Sequence, residues 1–227
     1  MLDVWPELSQ SPILQRFAWS PLIVDAYNHN RDLFESKAHL SPIPDALSAT
    51  VTLPNYLGGL LVVHIRRGDF QGHCEYLQKQ SCGYNAFNVF PEFSDRFEPP
   101  SDYWSRSAYY TNHCYPSSER IISKIESVRQ KHGTLRRLYV MTNVKGSWLA
   151  SLLEKLEQTA SWDTIATSRD LNVTQEQRYA SQALDALVAQ RAEAFIGNGV
   201  SVNAHQFSDS FYLNNPSFPV CRQISTC

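Results

Sequence analysis

The apolar positions along the chain predict strands that alternate with helices. Residues 59–66, Gly-Leu-Leu-Val-Val-His-Ile-Arg, form a nearly continuous apolar run that is typical of a strand buried on both faces of a parallel sheet. Further strands are predicted at 137–142, 162–167 and 194–197, and helices at 117–131, 147–159, 176–192 and 200–212. Strands alternating with helices require right-handed crossovers, so the pattern predicts an α/β fold with a parallel sheet and helices on both faces.

The stretches before and after the first strand are less regular. A helix is predicted over 21–34, with Ser20 as its cap and Pro21 in its first turn. The proline-containing residues 38–56 predict a connection. Residues 71–116 are rich in Cys, Pro, Ser, Asn and aromatic residues and predict a long, loop-like connection. A connection of that length inside a compact domain is usually functional.

Composition and charge exclude several classes of protein. The chain has 227 residues, 43% of them hydrophobic, which is sufficient for a packed core and argues against disorder. The net charge is −2 and there is no dense Lys/Arg stripe, so a nucleic-acid partner is not expected and any anion site must be local. No apolar run approaches the ~18 residues of a transmembrane helix. The N-terminus does not resemble a signal peptide.

The five cysteines bear on the compartment of the protein. They lie in loop-like or terminal sequence, which favours disulfides and an oxidising compartment, with Cys74 and Cys82 the obvious local pair. No Cys-x-x-Cys or histidine pattern predicts zinc. Asn172-Val173-Thr174 is a glycosylation sequon, a triplet that also arises by chance. Two compartments stay open. The chain as written carries no targeting signal and is consistent with the cytosol. A signal in sequence upstream would place the protein in the endoplasmic reticulum or Golgi lumen.

The polar residues with the clearest chemistry follow the first strand. Arg66 and Arg67 fall where this strand ends, and ligands of open α/β sheets bind outside the carboxyl ends of the strands. Arginine presents a planar fork suited to bidentate phosphate contact. Gly68 allows a sharp turn, and Asp69 can orient an arginine. The pattern predicts an anion site, with an ordinary arginine pair bridged to Asp69 as the alternative.

Two further candidates lie near the C-terminal end. Residues 195–201, Phe-Ile-Gly-Asn-Gly-Val-Ser, form a strand-to-helix turn whose backbone N–H groups and Ser201 hydroxyl can bind an anion, or which is only a tight turn. Asp185 on the preceding helix can pair with N1–H and the amino group of guanine, or can be a solvated helix carboxylate. His64 ends an apolar run, which is more typical of a packed, hydrogen-bonded histidine than of a base.

These segments together resemble the GDP-fucose protein O-fucosyltransferases. The segment from His64 to Phe70 resembles the first peptide motif of that family, and Phe195-Ile196-Gly197-Asn198-x-x-Ser201 resembles its C-terminal motif. Asp185 stands ten residues before Phe195, where the family has an acidic residue. Residues 139–143, Tyr-Val-Met-Thr-Asn, are similar to a middle strand motif that usually ends in Thr-Asp. The resemblance spans residues 59 to about 215.

The resemblance implies a fold and an activity. Residues 59–227 would be the Rossmann-like, donor-binding C-terminal domain of a GT-B glycosyltransferase, with an insertion at about 71–116. Residues 1–58 would be a remnant of the N-terminal domain or an inter-domain helical segment. The reaction would be inverting transfer of fucose from GDP-fucose to a Ser or Thr hydroxyl of an acceptor protein.

The resemblance also implies roles for single residues. Arg66 would contact the donor phosphates and help the leaving group depart, Asp185 would read guanine, and His64 would contact the nucleotide near its sugar or base. The remaining expected donor contacts are Arg67, Gly197, Asn198 and Ser201, with Asp69 and Asn143 in support. No metal or cofactor is expected, because arginine and helix-terminal N–H groups can neutralise the leaving diphosphate.

The chain departs from the family pattern in three places. Val202 and Asn203 stand where the family has a hydroxyl residue and Phe, and Asn143 replaces an aspartate. Only about 58 residues precede the strand that carries the first motif, whereas the N-terminal half of the family carries a loop near the acceptor hydroxyl. Two alternatives therefore stay open. One is a truncated or inactive GDP-sugar-binding or interaction module, and the other is a carbohydrate fucosyltransferase with the same donor site.

Overall fold

A four-stranded parallel sheet forms the centre of the molecule. The structure is a computed structural model that describes residues 7, 10–12, 16–36, 56–81 and 98–197. Its strands are β1 (Leu57–Ile65), β2 (Arg137–Thr142), β3 (Thr164–Thr167) and β4 (Ala192–Ile196). They pair in the order β3-β2-β1-β4, and every pairing is parallel. The α/β fold and all four predicted strands are confirmed, with bounds that shift by a few residues.

Helices cover both faces of this sheet. They are α1 (Pro21–His29), α2 (Arg31–Phe34), α3 (Phe70–Lys79), α4 (Tyr103–Cys114), α5 (Ser118–Lys131), α6 (Ser147–Thr159), α7 (Gln175–Arg178) and α8 (Ser181–Arg191). Alternate residues of β1 enter two separate cores, since Leu60 and Val62 pack with α1, α2 and α8 while Leu61 and Val63 pack with α5 and α6. Each apolar position of this strand is therefore buried, as its sequence predicts.

The predicted helix at 176–192 is broken in the structure. The short helix α7 ends at Arg178, and α8 begins at Ser181. Thr174 caps α7 in a capping box, because its side chain accepts from the N–H of Gln177 while the Gln177 side chain accepts from the N–H of Thr174. The predicted helix at 200–212 and the predicted connection at 38–56, except for its last residue, lie outside the described residues.

The region predicted as a long, loop-like connection, 71–116, contains α3 and α4 in its described part, so the loop-like interpretation is wrong there. Helices α3 and α4 pack on each other through a small core of Cys74, Leu77, Tyr110 and Cys114. This core is separate from the two that line the sheet. Since the apolar stripe of each helix is narrow and consists partly of cysteine and tyrosine, its helical period is weak in the sequence.

The disulfide in this region differs from the predicted pair. Cys74 bonds to Cys114, which is 40 residues later in the chain, and the two Cα atoms lie 5.8 Å apart. The predicted Cys74–Cys82 pair is therefore wrong, because the packing of α3 on α4 brings together two cysteines that are distant in sequence. Cys82, Cys221 and Cys227 lie outside the described residues.

The N-terminal helical segment is packed on the sheet. Asn30, which is 1% exposed, donates from Nδ2 to the carbonyls of Ala26 and Asn172, and its Oδ1 accepts from the N–H of Asn172. These bonds join the end of α1 to the chain before α7. The Asn172 residue itself is exposed. No helix in the described part of the chain has the length and apolar content needed to cross a bilayer.

Candidate functional site

The carboxyl end of β1 leads through a tight turn into α3. Gly68 has φ +73°, and a Cβ built there would meet nothing within 4 Å. The turn therefore needs the conformational freedom of glycine and not its small volume. It follows Arg66 and Arg67 directly, at the edge of the sheet where ligands of open α/β folds bind.

The structure separates the two arginines of this segment. The guanidinium of Arg67 lies between two rings, 4.2 Å from the centroid of Tyr115 and 4.3 Å from that of Trp148. Its Nη2 donates to the carbonyl of Pro116. Trp148 belongs to α6 and packs with the core on the face opposite α8. Arg67 is thus bound within the protein and ties the end of β1 to α6.

Arg66 is held much more weakly than Arg67. Its Nη2 lies 3.3 Å from Oδ2 of Asp69 in an exposed pair, and its guanidinium is 5.7 Å from the ring centroid of Phe70. Its Nε, like that of Arg67, is buried and has no hydrogen-bond partner among the described residues, so the two arginines differ in the contacts of their outer nitrogens and guanidinium faces. Since an exposed ion pair contributes little, Asp69 can orient Arg66 without preventing its contact with an anion.

Asn143 holds the backbone at this point. Its Oδ1 accepts from the N–H of Arg67 and its Nδ2 donates to the carbonyl of Arg67, both at 3.0 Å. Only an amide can make both bonds, because an ionised aspartate has no proton to donate. The asparagine that departs from the family motif therefore extends the pairing of β1 with β2 past the ends of both strands.

His64 lies on β1 with an unsatisfied ring nitrogen. It pairs in register with Met141 and follows Val62 by two residues, so it lies on the sheet face covered by α8. Burial, with a smaller contribution from the nearby charge of Arg66, lowers the pKa of His64 to about 4. The ring is neutral near pH 7, and its buried Nδ1 has no hydrogen-bond partner among the described residues. A buried ring nitrogen in this state is suited to a ligand hydrogen bond.

Asp185 lies in a hydrogen-bond network between α8 and the sheet. The Tyr139 hydroxyl donates to Oδ1 at 2.6 Å. The Ser168 hydroxyl lies 3.1 Å from Oδ1 and 2.9 Å from Oδ2. The alternative of a solvated helix carboxylate is therefore wrong, because Asp185 is half-buried and bonded to two other elements.

Burial raises the pKa of Asp185 to about 6, against the opposing effect of the Tyr139 and Ser168 hydrogen bonds and the nearby Arg169 charge. An unfolded aspartate has a pKa of about 3.9. The folded chain thus holds this proton more tightly than the unfolded chain. The resulting stabilisation is complete below the unfolded pKa and is lost as the pH rises through about 6.

Of the predicted site residues after β4, the structure describes only Gly197. Gly197 is buried directly after β4, which neighbours β1 in the sheet. Asn198 and Ser201, with Val202 and Asn203, lie outside the described residues. Among the described residues, no cluster of three or more His, Cys, Asp and Glu side chains could hold a metal ion.

The sequence interpretation missed the polar residues after β3. The Ser168 hydroxyl bonds to Asp185, and Nη2 of Arg169 donates to the carbonyl of Thr142 at 2.5 Å. These residues follow a predicted strand, just as Arg66 follows another. The same signal, polar residues directly after a parallel strand, would have identified them.

The turn at Gly68 can be tested by a matched pair of substitutions. Gly68→Ala should lower the free energy of unfolding by about 1–2 kcal/mol, because an alanine is strained at positive φ. Gly72→Ala in α3 is the control, since a Cβ there also meets nothing within 4 Å and the backbone is helical. The control should be neutral or stabilising by up to about 1 kcal/mol. Urea titrations measure both, and equal effects would contradict the role of the turn.

The fold and the position of these residues place the chain in the Rossmann-like α/β class, with its candidate site at the carboxyl edge of the sheet. A family model described as GDP-fucose protein O-fucosyltransferase matches residues 13–210. The chain belongs to this family, which confirms the resemblance drawn from its motifs. A comparison with curated protein sequences gives no match.

Solved structures of POFUT1 share the fold. A structure of POFUT1 in complex with GDP is 14% identical with a TM-score of 0.53, and the match covers 87% of this chain and 46% of that chain. A structure of POFUT1 in complex with GDP-fucose is 16% identical with a TM-score of 0.52, covering 87% of this chain and 45% of that chain. The chain therefore spans a little under half the length of these proteins.

Proposed function

We propose that this chain binds GDP-fucose at the carboxyl edge of its sheet and takes part in inverting transfer of fucose to a Ser or Thr hydroxyl of an acceptor protein. One observation carries the proposal. In a chain of this family, a loosely held arginine and a neutral histidine with an unpaired nitrogen lie at the carboxyl end of β1, and a half-buried carboxylate on α8 is bonded to β2 and to the residue after β3. These residues are Arg66, His64 and Asp185.

Arg66 is the proposed partner of the donor diphosphate. In the reaction, the acceptor oxygen bonds to the anomeric carbon of fucose while the bond from that carbon to the β-phosphate oxygen breaks. GDP leaves with the bonding electrons, and the proton of the acceptor hydroxyl passes to the departing diphosphate. A guanidinium fork can neutralise the charge that develops on the diphosphate. Arg67, which is bound between two rings, would position the segment and not contact the donor.

His64 and Asp185 are the proposed contacts to the nucleoside. His64 precedes Arg66 by two residues and is affected by its charge, and its unpaired Nδ1 would contact the sugar or base of the nucleotide. Asp185 would accept hydrogen bonds from guanine. Gly197, Asn198 and Ser201 remain candidates for phosphate contact through backbone N–H groups and a hydroxyl. With these groups supplying positive potential, the proposed reaction requires no metal.

A GDP-sugar-binding module without turnover is the second candidate. Val202 and Asn203 replace a hydroxyl residue and an aromatic residue of the family motif, which removes two expected donor contacts. Binding through Arg66, His64 and Asp185 does not depend on those two residues. The two candidates therefore share the donor site and differ only in turnover.

The proposed compartment is the lumen of the endoplasmic reticulum or Golgi. The Cys74–Cys114 disulfide supports it, because disulfides persist in oxidising compartments. The sequon residue Asn172 is exposed, so a glycan attached there would extend into solvent.

Calorimetric titration tests the donor site. GDP and GDP-fucose should bind at least about tenfold more tightly than UDP, the factor expected for one charge-assisted hydrogen bond to the base. EDTA should leave this affinity unchanged. A chain that binds no GDP would overturn the proposed function. Transfer of labelled fucose to a folded, disulfide-containing acceptor domain would distinguish the enzyme from the binding module.

A further inference from the structure

The carboxylate of Asp185 is shared between two hydroxyl groups on the sheet. Tyr139 on β2 donates its one hydroxyl proton to Oδ1 at 2.6 Å. Ser168, just after β3, also has a single proton, and its Oγ lies within 3.1 Å of both carboxylate oxygens. Two hydroxyl groups of the protein therefore donate hydrogen bonds to the Asp185 carboxylate.

Both donors are fixed by their surroundings. The Ser168 oxygen accepts from the N–H of Thr142 at 3.1 Å, and the N–H of Ser168 donates to the carbonyl of Val140 at 3.0 Å. These bonds leave the Ser168 proton for Asp185. Tyr139 is 0% exposed, and burial raises the pKa of its hydroxyl well above the ordinary value, so it stays protonated. The other acceptor near the Ser168 hydroxyl is the Val140 carbonyl at 3.5 Å, farther than either Asp185 oxygen and already bonded to the N–H of Ser168, so Asp185 is the better acceptor for the Ser168 proton.

The Asp185 carboxylate has as many remaining acceptor positions as guanine has adjacent hydrogen-bond donors on one edge. A carboxylate can accept about four hydrogen bonds, of which the two hydroxyls use two. The two that remain correspond to the adjacent N1–H and 2-amino donors of guanine. Hypoxanthine offers only N1–H at this edge, adenine has an acceptor at N1, and uracil offers one N–H between two carbonyls.

We infer that Tyr139 and Ser168 are positioning residues that hold the Asp185 carboxylate so that the site prefers guanine nucleotides over hypoxanthine, uracil and adenine nucleotides. The inference rests on the proposed function, because it requires a nucleotide at this edge of the sheet. The opposing interpretation is that the two hydroxyls only anchor α8 to the sheet. If the hydroxyls only anchor α8, removing one should change the affinity for all nucleotides by the same factor. If they position Asp185, removing one should mainly change the preference for guanine over other bases.

The test compares GDP with IDP, which differ only in the 2-amino group. By calorimetry, the wild-type chain should bind GDP about tenfold more tightly than IDP. In Ser168→Ala and in Tyr139→Phe the ratio should fall below about threefold. Ser168→Thr, which keeps the hydroxyl, should retain most of it. Ser151→Ala is the matched control, because Ser151 is exposed on α6 at the opposite face of the sheet.

The pH profile supplies a second readout. The charged and titratable groups that act on Asp185 from neighbouring elements are Tyr139 and Arg169, while Asp170 acts on Tyr139. GDP affinity should fall as the pH drops through about 6, where Asp185 takes up a proton. Since each hydroxyl bond favours the ionised carboxylate, removing one should move this fall to higher pH. The Ser151→Ala profile should coincide with that of the wild-type chain.

The outcomes separate the inference from the function on which it rests. GDP binding with an unchanged GDP-to-IDP ratio in both variants would overturn the positioning role and leave the proposed function standing. Failure of the wild-type chain to bind GDP would overturn both. Thermal melts show whether each variant is folded, and Tyr139→Phe, which removes one oxygen atom, decides the outcome if Ser168→Ala does not fold.

Discussion

Replacing Arg66 with alanine should lower the affinity for GDP-fucose by about 100-fold or more and abolish fucose transfer. Two charge-assisted hydrogen bonds from one guanidinium to a diphosphate contribute about 1.5–3 kcal/mol each, and about 2.7 kcal/mol corresponds to 100-fold. The fold should survive, because the only ion pair of Arg66 in the described part of the chain is the exposed one with Asp69. We expect the free energy of unfolding to change by less than about 1 kcal/mol.

Calorimetry with GDP-fucose and a urea titration measure the two effects. Arg66→Lys keeps the charge and loses the planar fork, so its affinity should lie between those of the wild-type chain and the alanine variant. Arg120→Ala is the control, because Arg120 is exposed on α5 at the opposite face of the sheet. Full donor binding by Arg66→Ala would show that the arginine has another role.

Removal of the Cys74–Cys114 disulfide should have the largest effect on stability. In the chain-entropy model, a cross-link that closes a loop of this size stabilises the fold by up to about 4 kcal/mol, and measured values for native disulfides are about 2–5 kcal/mol. The loop here closes over a sequence separation of 40 residues. The double variant Cys74→Ser/Cys114→Ser should therefore unfold at clearly lower urea concentration than the oxidised wild-type chain.

Reduction provides the matching control for this experiment. Dithiothreitol should lower the stability of the wild-type chain to about that of the double variant, which has already lost this bond. Peptide mapping under non-reducing conditions should recover a fragment that joins Cys74 to Cys114. A fragment that joins Cys74 to Cys82 instead would contradict the packing of α3 on α4.

The raised pKa of Asp185 shows why this carboxylate points to function. Above about pH 6 Asp185 is ionised on a half-buried helix face, and the fold is then less stable than it would be with a neutral side chain at this position. The two hydroxyls reduce this cost without removing it. A carboxylate that costs stability at neutral pH, at the ligand-binding edge of a parallel sheet, is a strong candidate for ligand contact.

Much of the fold follows from local sequence, because a strand buried on both faces and an amphipathic helix each leave a recognisable pattern. The apolar run from Leu60 to Val63 identifies β1, and the alternation of later segments identifies the parallel sheet. The motif around Arg66 and the spacing from Asp185 to Phe195 identify the family. These features depend on neighbours in the chain and can be read without the tertiary structure.

Contacts between distant segments were decided only by the tertiary structure. The pairing of Cys74 with Cys114 depends on how α3 packs on α4. Arg67 contacts the rings of Tyr115 and Trp148 and the carbonyl of Pro116, whereas Arg66 pairs with Asp69. This difference depends on which groups pack around the end of β1. The bonds of Asp185 to Tyr139 and Ser168 join residues separated by 46 and 17 positions. The sequence by itself therefore determined the class of fold, the family and the candidate residues. Packing decided which side chain each of those residues contacts, because side-chain partners are set by distances in space that residue order does not encode.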